Sequence, residues 1–192
     1  MISVVVATHE SERSLVPTLA ALVAGVTGGL LGEVVVADAG SRDATAQVAE
    51  VAGCRFVVSG EPLGARLKAA AASTRGTWLM FLPAGTVLEP GWVGIVERFI
   101  ERADLLEGSA RAAVFRPPGF ADLLRPGLAE LLAVLRATLG GGPKPDQGLL
   151  IARALYDEVG GHRADENADA LLLRRLGRRR IAMLPAAASV AR

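Results

Sequence analysis

Two stretches decide the fold of this chain: ISVVVATHESE at residues 2–12 and EVVVADAGSRDAT at residues 33–45. Each begins with an uninterrupted β-branched run and ends in small and polar residues. Runs without alternation between apolar and polar residues are typical of strands buried on both faces, as in a parallel sheet. In open sheets of this kind the ligand binds beyond the carboxyl ends of the strands. The sequence therefore predicts one ligand-binding rim, formed by Thr8, His9, Glu10, Glu12, Asp38, Ser41 and Asp43.

Outward from these stretches, strands alternate with helices along the chain. The predicted strands are 2–7, 33–37, 54–58, 78–82, 110–115, 148–152 and 180–184. The predicted helices are 15–23, 43–52, 63–73, 90–102, 120–139 with an interruption near Pro126, and 164–176, and residues 140–145 are predicted to form a loop. This alternation is typical of a three-layer α/β domain with a mostly parallel central sheet between helices. At 192 residues, one domain is the simplest expectation.

Composition excludes several classes of protein. The 21 basic and 20 acidic residues give a net charge of +1, which provides no general field for binding nucleic acid. A single cysteine, Cys54, excludes an internal disulfide and a cysteine zinc site, and it fits a reducing, cytoplasmic compartment. The two histidines are far apart in sequence and predict no histidine metal cage.

The segment from Ser14 to Gly32 has no charged residue but does not fit a membrane span. Pro17 and four glycines interrupt it, and a spanning helix needs about 20 consecutive apolar residues. We interpret it as a short buried helix followed by a glycine-rich turn. The first apolar run lacks a basic leader and is interpreted as a strand rather than a signal peptide.

Asp38 ends a predicted buried strand, and its carboxylate can accept a hydrogen bond from a ribose hydroxyl or a base N–H. Gly40 lets the backbone approach a ligand closely. Ser41 and Asp43 suit either the rim or a turn and helix cap, and for Asp43 the cap is favoured.

The motifs together resemble the family 2 glycosyltransferases of the GT-A fold. In that family the first strand ends in a Pro-Thr-Tyr-Asn-Glu type motif, and the second ends in Asp-Asp/Gly-Gly-Ser-x-Asp-x-Thr. The resemblance continues through residues 62–68, 75–82, 148–153 and 159–162, the last resembling the family's Gly-Gly-Phe turn. It covers nearly the whole chain and implies a nucleotide-binding half, 1–103, and an acceptor-side half, 104–192.

The resemblance implies a nucleotide-sugar donor bound at the predicted rim, and a hydroxyl acceptor. Its nucleotide-binding positions would be Thr8, His9, Glu10, Asp38, Gly40, Arg66 and Lys68. As cations, Arg66 and Lys68 suit a diphosphate, although a solvated helix face is the alternative for both.

This sequence departs from the family at two positions. Where the family carries a metal-binding Asp-x-Asp, it reads Pro83-Ala84-Gly85, so no metal is expected there and the leaving group would need arginine or lysine. Where the family carries Glu-Asp before a helix, it reads Glu166-Asn167, and an amide cannot act as base. We predict Glu166 and Asp169 as the catalytic carboxylates. The alternative is that they only stabilise the first turn of a helix as acidic residues.

Other charged groups have less specific predictions. His9 and His162 are interpreted as rim or loop residues rather than ligands or bases. The run from Arg174 to Arg180 either complements a helix end or meets anionic lipid at the inner face of the membrane, or a phosphate-bearing acceptor.

Three functions follow, in order. The first is an inverting glycosyltransferase that moves a sugar from a nucleotide to a hydroxyl acceptor without a metal held by Asp-x-Asp. The second is a non-catalytic relative that binds a nucleotide or a partner protein. The third is a nucleotidyltransferase, which is disfavoured because residues 8–12 are acidic rather than glycine-rich and basic.

Overall fold

A computed structural model describes residues 1–105, 111–117 and 144–191 of the chain. The predicted helix 120–139 and most of the predicted loop 140–145 lie outside the described residues, as does Ala110.

Strands and helices alternate as predicted through the first half. The elements there are β1 (Ile2–Thr8), α1 (Glu12–Thr27), β2 (Leu31–Asp38), α2 (Thr45–Val51), β3 (Arg55–Val58), α3 (Leu63–Ala72), β4 (Trp78–Pro83), β5 (Thr86–Leu88) and α4 (Trp92–Leu105). The elements described after them are β6 (Ala112–Arg116), β7 (Leu149–Ala152), α5 (Arg153–Glu158), α6 (Ala168–Leu176) and β8 (Ile181–Val190). Short 3-10 turns cover Pro145–Gln147 and Arg178–Arg180.

One sheet joins all of the described strands in the order β3-β2-β1-β4-β7-β6-β8-β5. The half that contains the rim is parallel, since β1 pairs in parallel with both β2 and β4, and β2 with β3. Strand β7 runs antiparallel to β4 and β6, and β6 and β8 are again parallel. The sheet is thus mostly parallel, as predicted, and it takes strands from both halves of the chain.

The apolar runs form the centre of this sheet. Val4, Val5 and Val6 are fully buried, as are Val35 and Val36, because helices cover both faces. Right-handed crossovers place α1 and α2 on one face and α3 on the other, since the chain reverses direction across the sheet after β3. The result is the predicted three-layer α/β architecture, with the carboxyl ends of β1, β2 and β4 at one edge.

The segment from Ser14 to Gly32 forms most of α1, the turn after it and the start of β2. In the part of the chain that the structure describes, no helix is both long enough and apolar enough to cross a membrane.

The elements differ from the prediction mainly in the second half. Helix α6 begins at Ala168 rather than Ala164, and β8 continues to Val190, well past the predicted end at Leu184. Pro185 suggests a strand end because proline cannot donate to a sheet ladder. In the structure it lies in an irregularity of the β6–β8 pairing, between Leu184 and Ala187, so the missing donor costs little. Pairing of β8 with β5 begins at Ala188. The two unpredicted elements, β5 and α5, are too short to show a period.

Candidate functional site

The carboxyl ends of β1, β2 and β4 meet at the predicted rim. Thr8 lies opposite Asp38 in the register of β1 and β2, and Ala7 lies opposite Pro83 in that of β1 and β4. The direction in which the chain adds strands reverses between β1 and β4, and crevices at such switch points are where α/β sheets bind ligands. The candidate site therefore extends along this edge from Asp38 to Pro83.

Asp38 organises the turn that follows β2. The residue is 0 % exposed. Its Oδ2 accepts the N–H groups of Gly40 at 2.8 Å and Ser41 at 2.6 Å, and its Oδ1 accepts the hydroxyls of Thr8 at 2.8 Å and Ser41 at 2.6 Å. Burial by itself raises the pKa of Asp38, but the hydrogen bonds outweigh burial and hold its pKa below the ordinary value. Its oxygens thus bind the protein's own donors, and direct contact of Asp38 with a nucleotide stays a prediction.

Gly40 is required for its backbone angle. Its φ is +91°, in the region that favours glycine, and a Cβ built there would meet no atom within 4 Å. The space beside Gly40 is open, and close approach of its backbone to a ligand stays a prediction.

Hydrogen bonds tie the loop after β1 to the loop after β2. The N–H of Glu10 donates to Ser41 Oγ at 2.8 Å, and Glu10 Oε1 accepts the N–H of Arg42 at 2.8 Å. One turn further on, the N–H of Glu12 donates to Asp43 Oδ2 at 2.9 Å. We name residues 9–12 and 41–44 the paired loops. His9 and Glu10 are exposed on them, and Glu10 has a φ of +49°.

Asp43 also meets its predicted role at a helix start. Its Oδ1 accepts the N–H of Thr45, the first residue of α2, at 3.0 Å. The carboxylate therefore supports the helix and the paired loops together.

Arg66 braces the strand ends beneath the rim. It is 9 % exposed, and its guanidinium donates to the carbonyl oxygens of Ala37 at 2.8 Å, Thr8 at 3.4 Å and Glu61 at 3.1 Å. Thr8, Asp38 and Arg66 therefore converge at one place, as predicted from the sequence.

Lys68 lies elsewhere. Two residues along a helix correspond to a rotation of about 200°, so Lys68 projects away from Arg66. Its Nζ donates to the carbonyl oxygen of Gly160 at 3.0 Å, and it lines an open depression together with Arg163 and Arg175. Contrary to the prediction, the structure does not bring Lys68 beside Arg66.

A cleft of about 80 Å³ opens at the switch point. Its lining is mostly apolar and includes Ala7 and Pro83 from the rim, but it also contains two charged residues, Lys144 and Asp169. A cation and a carboxylate therefore share one small cleft at the strand ends.

Asp169 belongs to a hydrogen-bonded chain that leads into the core. Its Oδ1 lies 3.0 Å from Nε2 of His162, and Nδ1 of His162 lies 2.9 Å from the hydroxyl of Tyr156. His162 is 1 % exposed and Tyr156 is 3 % exposed, whereas the side chain of Asp169 is 24 % exposed. Burial, the largest effect, raises the pKa of Tyr156 to about 12. Asp169 is thus the solvent-facing end of a buried chain of polar groups.

The two predicted catalytic acids have different surroundings. Glu166 is exposed in the turn before α6 and is not part of the cleft lining, whereas Asp169, in the first turn of α6, is part of it. Of the two, the geometry favours Asp169.

Sequence reasoning missed the buried histidine. His162 was interpreted as a rim or loop residue, and it does lie between elements, but its ring packs edge-on against Phe81 at a centroid distance of 4.6 Å. Lys144 was also missed, because a lysine beside prolines and glycines is typical of any surface loop.

The end of β4 does not offer a metal site. Residues 83–85 carry no carboxylate, and the next acid, Glu89, accepts hydrogen bonds from Arg116 at 2.9 Å and from the N–H of Ala187 at 2.9 Å. Within the described ranges, no cluster of three or more His, Cys, Asp and Glu side chains is placed to hold a metal ion. The residues present here do not fit an Asp-x-Asp type of metal centre.

The arginine run complements the end of α6. The helix ends at Gly177, whose φ is +73°, with Arg174 and Arg175 in its last turn. Arg175 donates to the carbonyl oxygens of Val159, at 2.7 Å, and of Gly161. Arg174 and Arg175 thus meet the helix-end interpretation, and contact of the run with lipid or with a phosphate-bearing acceptor stays a prediction.

Comparison with known proteins identifies a family and a fold. The model of the family described as Glycosyl transferase family 2 matches residues 3–125, while a search of curated proteins finds no match. Glucosyl-3-phosphoglycerate synthase from Mycobacterium tuberculosis, solved with Mn²⁺, uridine diphosphate and phosphoglyceric acid, is 24% identical with a TM-score of 0.67. That alignment covers 95% of this chain and 67% of the other. A complex of the same enzyme with Mn²⁺, uridine diphosphate and glucosyl-3-phosphoglycerate is 21% identical, with a TM-score of 0.68 and coverage of 100% and 72%.

Proposed function

This chain belongs to glycosyl transferase family 2, and from that premise we propose that it transfers a sugar from a nucleotide donor to a hydroxyl acceptor without a metal held by Asp-x-Asp. Its architecture is the GT-A type of α/β fold. The observation that carries the proposal is the pair Asp169 and Lys144 in one cleft at the β1–β4 switch point. A general base and a cation at that place are what metal-free transfer requires.

The nucleotide of the donor would lie over the rim rather than inside the cleft. A cleft of about 80 Å³ is far smaller than the several hundred Å³ that sites for drug-sized ligands occupy. It has room for the reacting ends of the two substrates. The base and ribose would then contact the paired loops, where His9 and Glu10 are exposed.

In the proposed reaction, Asp169 takes the proton of the acceptor hydroxyl as that oxygen attacks the anomeric carbon of the sugar. The bond from the anomeric carbon to the diphosphate breaks, and the nucleoside diphosphate leaves with its electron pair. Attack opposite the leaving group inverts the anomeric centre. Asp169 suits this role because it lines the cleft, while His162, the residue that contacts its carboxylate, is buried.

Lys144 is the candidate for stabilising the leaving diphosphate. It lines the same cleft as Pro83, the residue that stands at the start of the family's metal motif. An ammonium group at this place can offset the charge that develops on the departing phosphate oxygen. Arg66 supports the site from beneath by holding the ends of β1 and β2.

Uridine diphosphate sugars are the first donors to test, since the similar mycobacterial enzyme was solved with uridine diphosphate. Release of the nucleoside diphosphate is measured from UDP-glucose and other sugar nucleotides, with a panel of hydroxyl acceptors that includes phosphoglyceric acid. We expect Asp169→Asn to lower kcat by about 100-fold or more, the range of general base catalysis, and Lys144→Met to lower it as well. The exposed acid Glu101 provides a matched control in Glu101→Gln.

The alternative is a non-catalytic protein that keeps the nucleotide-binding frame. Calorimetric binding of uridine or guanosine diphosphate without any release of diphosphate from a sugar nucleotide over many hours would favour it. Equal turnover by the wild type and Asp169→Asn would contradict the role given to Asp169.

A further inference from the structure

The hydrogen bonds around Tyr156 fix the direction in which its hydroxyl donates. The backbone N–H of His162 lies 3.1 Å from the Tyr156 oxygen, and an N–H can only donate. The hydroxyl oxygen is therefore an acceptor in that contact, and its proton is available for Nδ1 of the same histidine at 2.9 Å. The raised pKa of Tyr156, about 12, keeps this proton in place over the whole range in which proteins are assayed.

The opposite side of the imidazole gives the same tautomer. An ionised carboxylate can only accept, so the 3.0 Å contact from His162 to Asp169 Oδ1 requires a proton on Nε2. With Nδ1 accepting from Tyr156 and Nε2 donating to Asp169, the neutral Nε2–H tautomer satisfies every contact of the ring. A doubly protonated ring would leave the Tyr156 proton without this acceptor and would place a cation in a buried site.

Aromatic packing holds this arrangement rigid. Phe81 on β4 stacks on Tyr156 at a centroid distance of 5.3 Å and meets the His162 ring edge-on at 4.6 Å. The charged groups that act on this pair are Asp157 and Asp169, which raise the pKa of Tyr156, and Arg175, which lowers it. The orientation of both rings is therefore determined by packing in the core rather than by solvent.

We propose that Tyr156 and His162 are positioning residues that orient Asp169, so that Oδ1 is held by His162 and Oδ2 faces the acceptor hydroxyl. The inference rests on the proposed function, because it assigns the orientation of the proposed base. Both rings are almost wholly buried, and neither lines the cleft that contains Asp169. In this proposal the proton taken by Asp169 leaves through the cleft, and the two rings act by orientation alone.

The tautomer can be tested without any turnover. The chain has two histidines, so His9→Asn leaves His162 as the only imidazole in the spectrum. Two-bond ¹⁵N–¹H correlation spectra of the ¹⁵N-histidine-labelled protein at neutral pH should show a proton on Nε2 and none on Nδ1. A proton on Nδ1, or a doubly protonated ring, in the otherwise unchanged protein would overturn the proposal.

Kinetics test whether the orientation matters. His162→Gln keeps an amide donor near the place of Nε2, and His162→Met removes it at similar volume. With UDP-glucose as donor we expect Tyr156→Phe and His162→Met to lower kcat by about 10- to 100-fold with little change in KM, since small displacements of a catalytic group have effects of this size. His162→Gln should recover most of the loss, because its amide can again donate to Asp169.

A purely structural role predicts different results. Thermal melts of all variants report stability separately, and a structural role would lower the melting temperature without separating the kcat of His162→Gln from that of His162→Met. Equal kcat for His162→Gln and His162→Met in folded proteins would overturn the proposal. If the wild type releases no diphosphate from any donor, the proposed function fails, and the positioning of a base fails with it even where the spectra show the Nε2–H tautomer.

Discussion

The hydroxyl of Thr8 donates to the carboxylate of Asp38 at 2.8 Å, which joins the carboxyl ends of the two central strands through side chains as well as through the sheet ladder. Both residues are buried, at 3 % and 0 % exposed. A charged acceptor in this position stabilises the rim only while it is ionised, so the contact links the stability of the strand ends to pH.

Replacing Asp38 with Asn should destabilise the protein in a pH-dependent way. The amide keeps the shape, but its single oxygen can accept from only two of the four donors, and we expect the free energy of unfolding to fall by about 2 to 3 kcal/mol at pH 7. The pKa of Asp38 is lower in the folded than in the unfolded protein, so its contribution is complete above the unfolded value of about 3.9 and is lost as pH falls through the folded one.

Urea unfolding of wild type and Asp38→Asn at pH 7 and at about pH 3 measures both effects. The difference in the free energy of unfolding between wild type and Asp38→Asn should shrink at the lower pH. Glu50 is an exposed acid on α2, and Glu50→Gln should differ from the wild type by almost nothing at either pH. A difference that grows on acidification would contradict the assignment.

Gly64→Ala should damage the segment that carries Asp169. A Cβ at Gly64 would lie 1.7 Å from the carbonyl oxygen of Arg163 and 2.6 Å from Cβ of Ala168, the residue before Asp169. Because the first neighbour is backbone, the segment must move, and we expect a loss of about 1 to 3 kcal/mol in the free energy of unfolding together with a lower kcat. Gly60→Ala meets nothing within 4 Å and is the matched control; similar behaviour of the two variants would refute the crowding argument.

Arg153→Met should loosen the connection between α3 and β4. The guanidinium donates to the carbonyl oxygens of Gly76 at 2.7 Å, Ala71 at 3.1 Å and Thr74 at 3.2 Å, and to the Thr74 hydroxyl at 2.6 Å. Removing it leaves these acceptors without their donor, at an expected cost of about 2 kcal/mol in thermal or urea unfolding. Arg174→Met, exposed on α6, is expected to be near neutral. The prediction is wrong if both variants unfold alike.

Chelation should leave donor binding unchanged. Since residues 83–85 carry no carboxylate, the affinity for uridine diphosphate, measured by calorimetry, should change by less than about threefold between excess EDTA and added Mn²⁺, equivalent to about 0.6 kcal/mol. Tighter binding by tenfold or more in Mn²⁺ would show that carboxylates elsewhere supply the metal site.

Cys54 should react slowly with alkylating agents. Burial raises the pKa of its thiol, and the residue lines an apolar groove of about 640 Å³ between α1 and α2. Iodoacetamide should therefore modify it more slowly than glutathione at pH 8, with a rate that keeps rising at more alkaline pH. A rate equal to that of glutathione would show that the groove opens freely.

The parallel half of the fold was predictable because its signals are local. The valine runs at 4–6 and 34–36 indicate buried strands, and parallel pairing then forces Thr8 and Asp38 together. Arg66 was predicted from the resemblance to the family. The elements that were missed lack such signals: β5 has three residues, and β8 continues past Pro185 through an irregularity that only the tertiary structure reveals.

The catalytic side of the site was only partly predictable. Asp169 and Glu166 are equivalent as acids near a helix start, and choosing between them requires knowing which one faces the cleft. The partnership of Tyr156 with His162 depends on positive φ angles at the two glycines between them, +81° at Gly160 and +66° at Gly161, which turn the chain back on itself. Side-chain spacing alone does not show that reversal.

Each of the paired loops limits the sequence changes that the other can accept. Each loop supplies hydrogen-bond partners of the other. A change at Ser41 or Asp43 therefore removes the acceptor of the main-chain N–H of Glu10 or Glu12. The two loops cannot change independently, and we expect relatives that differ in one loop to differ in the other as well. An attempt to alter donor preference by replacing only one loop would therefore lose hydrogen bonds between the two loops.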